Sequence, residues 1–228
     1  MENSIKDNAT LKNTLIIIPV YNSYRYIQKL YQTINNINPT FHVLFINDGS
    51  TDHSLDIIRV LEINHLNIPK NKGKGYALKM GLNYAKFNNY KYVITIDSDL
   101  QHDPSFINNF FLTQNKENAD LVIGFRKFNF KNMPSERVLS NYLTSLIISE
   151  KTGTQIIDSQ SGFRMYNLSF YDEKRKYSER YQMETEILLH YISQKATIAH
   201  TEIPVIYAEE ISSISPFRDI VNFIKVIL

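Results

Sequence analysis

Short apolar, β-branched runs alternate with longer amphipathic segments along almost the whole chain, and few architectures accept that rhythm. "TLIIIPV" (Thr14–Val20) reads as a buried strand ended by Pro19, and "FHVLFIN" (Phe41–Asn47) as a second. "HLNIP", "YKYVITID", "ADLVIGF" and "TIAHTEIPV" continue the series. Between them lie helical spacings: Tyr26, Ile27, Leu30 and Ile34 over about Ser23–Asn35, then the stretch after "DGSTD" with Ser50, Thr51 or Asp52 as its cap. Further helices are expected over "KGYALKMGLNYAKF", over "PSFINNFFLTQN" with Pro104 in the first turn, near Arg137–Lys151, and over "RYQMETEILLHYISQ". Strands alternating with helices of this length predict βαβ units and an α/β fold with a largely parallel sheet flanked by helices.

Composition narrows the function. The chain has 228 residues and no repeat or low-complexity linker, which fits one domain over 1–228. A polar extension (1–13) precedes it and an apolar helix, "PFRDIVNFIKVIL" (216–228), closes it. Net charge is only +2, so nothing in the balance points to nucleic acid. There is no cysteine, which removes disulfides, thiolate metal sites and cysteine nucleophiles. "MENSIKDNAT" lacks the apolar core of a signal peptide, and no run is long enough to span a bilayer as a helix.

The chemistry-bearing residues cluster just beyond the predicted strands, where open α/β sheets gather their ligands. "IDSDLQHDP" ends a strand at Asp97 and Asp99, two carboxylates able to grip a hard divalent cation, with Gln101 offering a carbonyl oxygen. The same stretch also reads as a strand end followed by a helix cap, Asp103 before Pro104. "NDGSTD" offers Asp48 to a base or ribose, or forms an Asx turn. "NKGKGYALKMG" places Lys72, Gly73 and Gly75 at a helix start, where N–H groups favour anions, or is a plain turn. In "DSQSGFRMY", Asp158 is a base or a cation's partner, and Arg164 clamps an acid or pairs structurally. Glu184 and Glu186, two apart on a helix, do not share a face. The six histidines show no ligand spacing, and no serine sits in a hydrolase elbow.

Taken in order, "IIIPVYN", "INDGSTD", "NKGKGYALKMG", "IDSDLQHDP", "DLVIGFR" and "DSQSGFRMY" closely resemble glycosyltransferase family 2, over roughly residues 14 to 218. "DLQHDP" and "DSQSGFR" resemble its dolichyl- or polyprenyl-phosphate sugar synthase branch. The resemblance implies a Rossmann-like GT-A fold and an inverting enzyme using a nucleotide-diphosphate sugar with Mg²⁺ or Mn²⁺. It implies that Pro19, Tyr21 and Asn22 line the nucleotide pocket, that Asp48 contacts base or ribose, and that Lys72, Gly73 and Ser98 lie near the nucleotide. Asp97, Asp99 and Gln101 would form the metal region, and Asp158 would stand near the reaction centre. Arg126 and Arg137 would neutralise phosphates. Ser213 and Arg218, in "ISSISPFRD", would belong to a segment closing over donor and acceptor. Asn47 stands where many relatives carry a further aspartate, and a histidine common in the tail segment is missing.

Charge then bears on the acceptor. A hydroxyl acceptor needs a general base within hydrogen-bond reach. A lipid phosphate, with a second pKa of about 6, is already anionic at neutral pH and needs positive neighbours instead. The basic stretch Phe125–Arg137, with Arg164 and Arg218, favours polyprenyl phosphate. A hydroxyl of a surface polysaccharide or lipid-linked oligosaccharide is the alternative, and a non-catalytic nucleotide-sugar binding module a remoter one. The apolar segment 216–228 suggests peripheral attachment at the cytoplasmic face of a membrane, a homodimer or a membrane-protein partner, or an ordinary docked helix.

Overall fold

The computed structural model describes residues 8–126 and 135–204. Among the described residues are seven strands: β1 (Thr14–Val20), β2 (His42–Asp48), β3 (His65–Ile68), β4 (Tyr92–Thr95), β5 (Leu121–Arg126), β6 (Arg164–Asn167) and β7 (Ile198–Ile203). The helices are α1 (Tyr24–Ile37), α2 (Ser54–Val60), α3 (Lys74–Phe87), α4 (Ile107–Glu117), α5 (Ser135–Thr152) and α6 (Gln182–Ser193). One sheet holds all seven strands in the order β3-β2-β1-β4-β6-β5-β7. Every pairing is parallel except those of β6, which runs antiparallel between β4 and β5.

Both faces of this sheet are covered, which is why its central strands read as continuous apolar runs. Along β1, Leu15 and Ile17 point into a layer with Leu78 and Leu82 of α3 and Met183 and Leu188 of α6. Ile16, Ile18 and Val20 point the other way, against Ile27, Leu30 and Ile34 of α1 and Ile107 and Phe110 of α4. The period-two alternation of a strand thus feeds two separate cores.

Within the described residues the expected elements appear with boundary shifts of a few residues, save one. "TGTQIIDSQSGFRMYN" reads as turn throughout, yet its last four residues form β6. That strand is short and opens on an arginine, so neither length nor alternation announces it; its pairing with both neighbours makes it a strand. At α2 the residue in the cap position is His53, without a side-chain cap bond, while Asp52 Oδ1 accepts from Ser54 N at 2.9 Å. Asp103 caps as expected, accepting from Ser105 N at 2.9 Å ahead of Pro104. The basic stretch 127–134, the side chain of Arg137, and the tail with Ser213, Arg218 and segment 216–228 lie outside the described residues. Among the described residues no helix is long and apolar enough to cross a membrane.

Candidate functional site

The chain leaves β1 toward β2 and β3 on one side and returns through β4 on the other, so a switch point lies between β1 and β4. Pairing between them ends at Ile17 and Thr95, while β1 continues beside β2 to Val20. Pro19 falls in that unpaired part, where its missing N–H costs no bond to β4. Such a gap beyond strand ends is where this kind of sheet admits ligands.

Several predicted residues meet there. Tyr21 is exposed. Asn22 adopts a left-handed backbone (φ 52°), donates through its N–H to Ser50 Oγ at 3.0 Å and accepts from Thr51 N at 2.8 Å. It therefore ties the ends of β1 and β2 together. Ser23 Oγ and Ser98 Oγ, 2.9 Å apart, tie the end of β1 to the Asp97–Gln101 turn. Asp48 is buried and accepts from Lys72 N at 2.9 Å and Gly73 N at 2.7 Å, which anchors the turn before α3. Gly73 has φ 107°, and a Cβ there would lie 2.5 Å from the Glu179 carbonyl oxygen, so only glycine fits.

Beside this turn sits a buried charge cluster. Lys74 Nζ lies 2.6 Å from Asp97 Oδ1 and 3.2 Å from Glu184 Oε2. Burial disfavours the ammonium, but the two carboxylates outweigh it and hold Lys74 above the usual lysine range. Burial likewise works against Asp97, yet Lys74 foremost keeps its carboxyl below the ordinary value. For Glu184 burial wins and the carboxyl is raised; its Oε1 has no hydrogen-bond partner. His102 Nε2 is 3.8 Å from Asp97 Oδ2, and burial pushes this imidazole down to about 4 despite Asp97. Gly162 makes the close packing possible, since a Cβ there would meet Asp97 Oδ2 at 2.6 Å and Lys74 Nζ at 2.8 Å. In the following turn Asp99 Oδ1 accepts from Gln101 N at 3.0 Å, across Leu100, whose φ is 59°.

A third group forms around Asp158, which is fully buried. Its carboxylate accepts from Arg126 Nε at 2.8 Å, Arg126 NH2 at 3.1 Å, Asn141 Nδ2 at 2.7 Å and Gln160 N at 3.2 Å. Burial would raise this carboxyl, but the Arg126 guanidinium and the hydrogen bonds outweigh it and hold it below the ordinary range. Arg164 is different from its sequence reading as an acid clamp. It is fully buried and donates to the carbonyls of Ser161 (2.7 Å), Glu184 (2.8 Å) and Ser159 (2.6 Å). Those contacts make it a brace for the Ser159–Ser161 turn, the structural one of its two readings.

The structure thus brings Pro19, Asn22, Asp48, Lys72, Gly73, Ser98, Asp97, Asp99 and Gln101 to one end of the sheet and ties Asp158 to Arg126. Sequence reasoning passed over Lys74, His102 and Asn141, and noted Glu184 without giving it a role. The lysine lay in a quoted motif, but no local signal said it would turn inward. Glu184 and Glu186 are both engaged, the latter accepting from Ser178 N at 2.7 Å. Asp97, Asp99 and Gln101 are half-buried and carry oxygen donors of the type a hard cation takes, with Asp97 Oδ1 engaged by Lys74 Nζ at 2.6 Å. They do not amount to a self-sufficient cage: among the described residues no group of three or more His, Cys, Asp or Glu could hold a metal.

Comparisons with known proteins fit this arrangement. An uncharacterized protein of Methanocaldococcus jannaschii is 28% identical over 227 residues, covering 94% of this chain and 97% of that one. UDP-N-acetylglucosamine–dolichyl-phosphate N-acetylglucosaminyltransferase of Methanococcus voltae is 28% identical over 217 residues, covering 85% and 86%. Among solved structures, glucosyl-3-phosphoglycerate synthase of Mycobacterium tuberculosis, in complex with Mn²⁺, UDP and glucosyl-3-phosphoglycerate, superposes with a TM-score of 0.73. It covers 93% of this chain and 78% of that one at 17% identity, a likeness of fold. Residues 15–177, which hold β1 to β6 and every carboxylate discussed except Glu184 and Glu186, match the profile of Glycosyl transferase family 2, and the chain belongs to that family of glycosyltransferases with a GT-A fold.

Proposed function

We propose that the protein moves a sugar, with inversion, from a nucleotide-diphosphate sugar to a polyprenyl phosphate. The observation that carries the acceptor choice is Asp158. Its carboxylate already accepts five hydrogen bonds, two of them from a guanidinium, and lies below the usual acid range. Such a group is a poor proton acceptor, so a hydroxyl nucleophile would lack its base here. A phosphate acceptor needs none. Its oxygen attacks the anomeric carbon, the sugar–diphosphate bond breaks on the opposite face, and the nucleoside diphosphate leaves with the electron pair.

In this reading Pro19, Tyr21 and Asn22 border the nucleotide. Asp48 shapes the Lys72–Gly73 turn against it, and Ser98 sets the position of the carboxylate turn. Asp97, Asp99 and Gln101 would hold Mg²⁺ or Mn²⁺, which supplies charge stabilisation to the departing diphosphate. Arg126 and Asp158 stand at the acceptor, with Arg137, Ser213 and Arg218 contributing phosphate contacts; the protein works at the cytoplasmic face of a membrane. Relatives named for dolichyl phosphate and for dodecaprenyl phosphate support the lipid acceptor, the second being the galacturonate synthase of Rhizobium johnstonii.

A second reading is a small non-lipid acceptor, favoured by the fold neighbour, which was solved with phosphoglyceric acid. Labelled UDP- and GDP-sugars incubated with polyprenyl phosphate or with phosphoglycerate separate the two. An acid-labile, lipid-extractable product is expected. Product with phosphoglycerate alone would overturn the lipid assignment.

A further inference from the structure

Lys74 and a divalent ion would compete for the same carboxylate. Lys74 Nζ lies 2.6 Å from Asp97 Oδ1 and 3.2 Å from Glu184 Oε2, so one ammonium serves two carboxylates. The other oxygen of Asp97 also faces the protein. Oδ2 lies 3.8 Å from His102 Nε2, and Gly162 packs so closely that a Cβ there would stand 2.6 Å from it. Arg126 adds a further positive charge to the field at Asp97. A hard dication takes several oxygen ligands and draws on their negative charge, which Lys74 has here largely neutralised.

The fold holds the lysine in that position. Lys74 opens α3, and the first turn of that helix is docked on the segment leading into α6. Tyr76 N donates to the Glu179 carbonyl oxygen at 3.0 Å, and a Cβ on Gly75 would lie only 2.4 Å from that of Arg180. Glu184 then meets Nζ from α6, while Asp97 meets it from beyond β4. The Glu184 side chain is only 9% exposed, and its Oε1 has no hydrogen-bond partner among the described residues. Two carboxylates thus converge on the place that Nζ fills, and one of them keeps a buried oxygen in reserve.

We propose that Lys74 is a built-in cation that keeps a divalent metal from binding ahead of the nucleotide. With its ammonium on Asp97, the turn 97–101 lacks the charge to hold Mg²⁺ or Mn²⁺ by itself. The diphosphate of the donor supplies the missing anionic oxygens, so the donor enters with its ion and the nucleoside diphosphate leaves with it. The inference rests on the metal reading of Asp97, Asp99 and Gln101 given above. Lys74 is a positioning residue in this scheme, since it touches Asp97 and not the reacting atoms. Coupling between two ligands is reciprocal, so the same lysine makes nucleotide binding depend on the metal.

Methionine matches the lysine stem but lacks Nζ, so Lys74→Met removes the ammonium alone. Mn²⁺ binding is read from the electron paramagnetic resonance signal of the free ion, with and without UDP or GDP, against the nucleotide in buffer. Without nucleotide the parent should bind Mn²⁺ weakly. Lys74→Met should bind it at least about tenfold more tightly, because two carboxylates are released toward one point. With nucleotide the difference between the two proteins should narrow. Damage to the fold weakens binding, so a gain is specific to the lost charge. Should Lys74→Met not fold, Lys74→Met with Glu184→Gln frees Asp97 alone and should still bind about threefold more tightly than the parent. No gain in the folded variant overturns the proposal, as does a parent that binds Mn²⁺ equally well with and without nucleotide; both leave the metal reading intact. No binding by the parent beyond that of the nucleotide in buffer would overturn the metal reading, and the proposal with it.

Discussion

Lys74 stands between Asp97 and Glu184 with a side chain only 16% exposed, and its loss leaves two carboxylates without their shared cation. Breaking a buried pair on one side typically costs more than the pair contributes, because the remaining charge stays desolvated. Lys74→Met is expected to destabilise the protein by about 2–4 kcal/mol in denaturant unfolding, discounted for the partial exposure of Asp97. Adding Glu184→Gln should recover part of that loss; no recovery would show that the two carboxylates do not share the cation. His200 makes a second residue-level case. Burial lowers its imidazole from 6.5 to about 4, against the pull of Asp158. The unfolded chain therefore binds a proton that the folded chain refuses between those values. Stability from this group is complete above 6.5 and is lost as pH falls toward 4, by up to about 3 kcal/mol. His200→Gln should flatten the stability–pH curve in that window, read by urea unfolding at a series of pH values. An unchanged slope would assign the acid sensitivity to other groups.

At the scale of elements, α5 turns Ser140, Asn141, Thr144 and Ser145 inward beside Ile148 and leaves Leu139, Tyr142, Leu143, Leu146 and Ile147 as an exposed stripe, against the usual burial of a helix's apolar face. Ser145→Ala removes the oxygen that Ser159 N donates to and strands a buried N–H. It should cost about 1–3 kcal/mol. Leu143→Ser, on the exposed stripe, should stay within about 0.5 kcal/mol in the absence of lipid. Thermal unfolding of the two variants side by side checks this, and a larger loss from Leu143→Ser would contradict the inversion. Sequence periodicity found α5 but could not say which face turned inward, because Ser, Asn and Thr at helical spacing are ordinarily solvated. Strand β6 was hidden for a related reason. Four residues beginning with Arg164 carry no alternation, and only the gap between β4 and β5 makes them a strand. The β1–α1–β2 unit and the end-of-strand position of Asp97 were legible, since buried parallel strands need unbroken apolar runs.

For the whole molecule, the cleft at the switch point should bind a nucleoside diphosphate only with a divalent ion present. Binding to the native state raises the melting temperature; at a ligand concentration of 100 Kd the gain is about 2.7 kcal/mol. We expect UDP or GDP with Mn²⁺ to raise Tm in the parent protein and to leave Asp99→Ala unmoved. An equal rise in that variant would remove Asp99 from the metal site.

The sequence by itself determined the alternation of strands and helices apart from β6, the placement of polar motifs at strand ends and the resemblance to the family. Each of these follows from local periodicity or from residues adjacent in the chain. Only the tertiary structure decided what each charge does. Arg164 and Lys74 sit in motifs of similar appearance, yet one braces three carbonyls and the other bridges two carboxylates. Asp158 is tied to Arg126 and Asn141 across 32 and 17 residues. A charge's role is set by what neutralises it at about 3 Å, and in a crossover fold those neighbours arrive from distant parts of the chain.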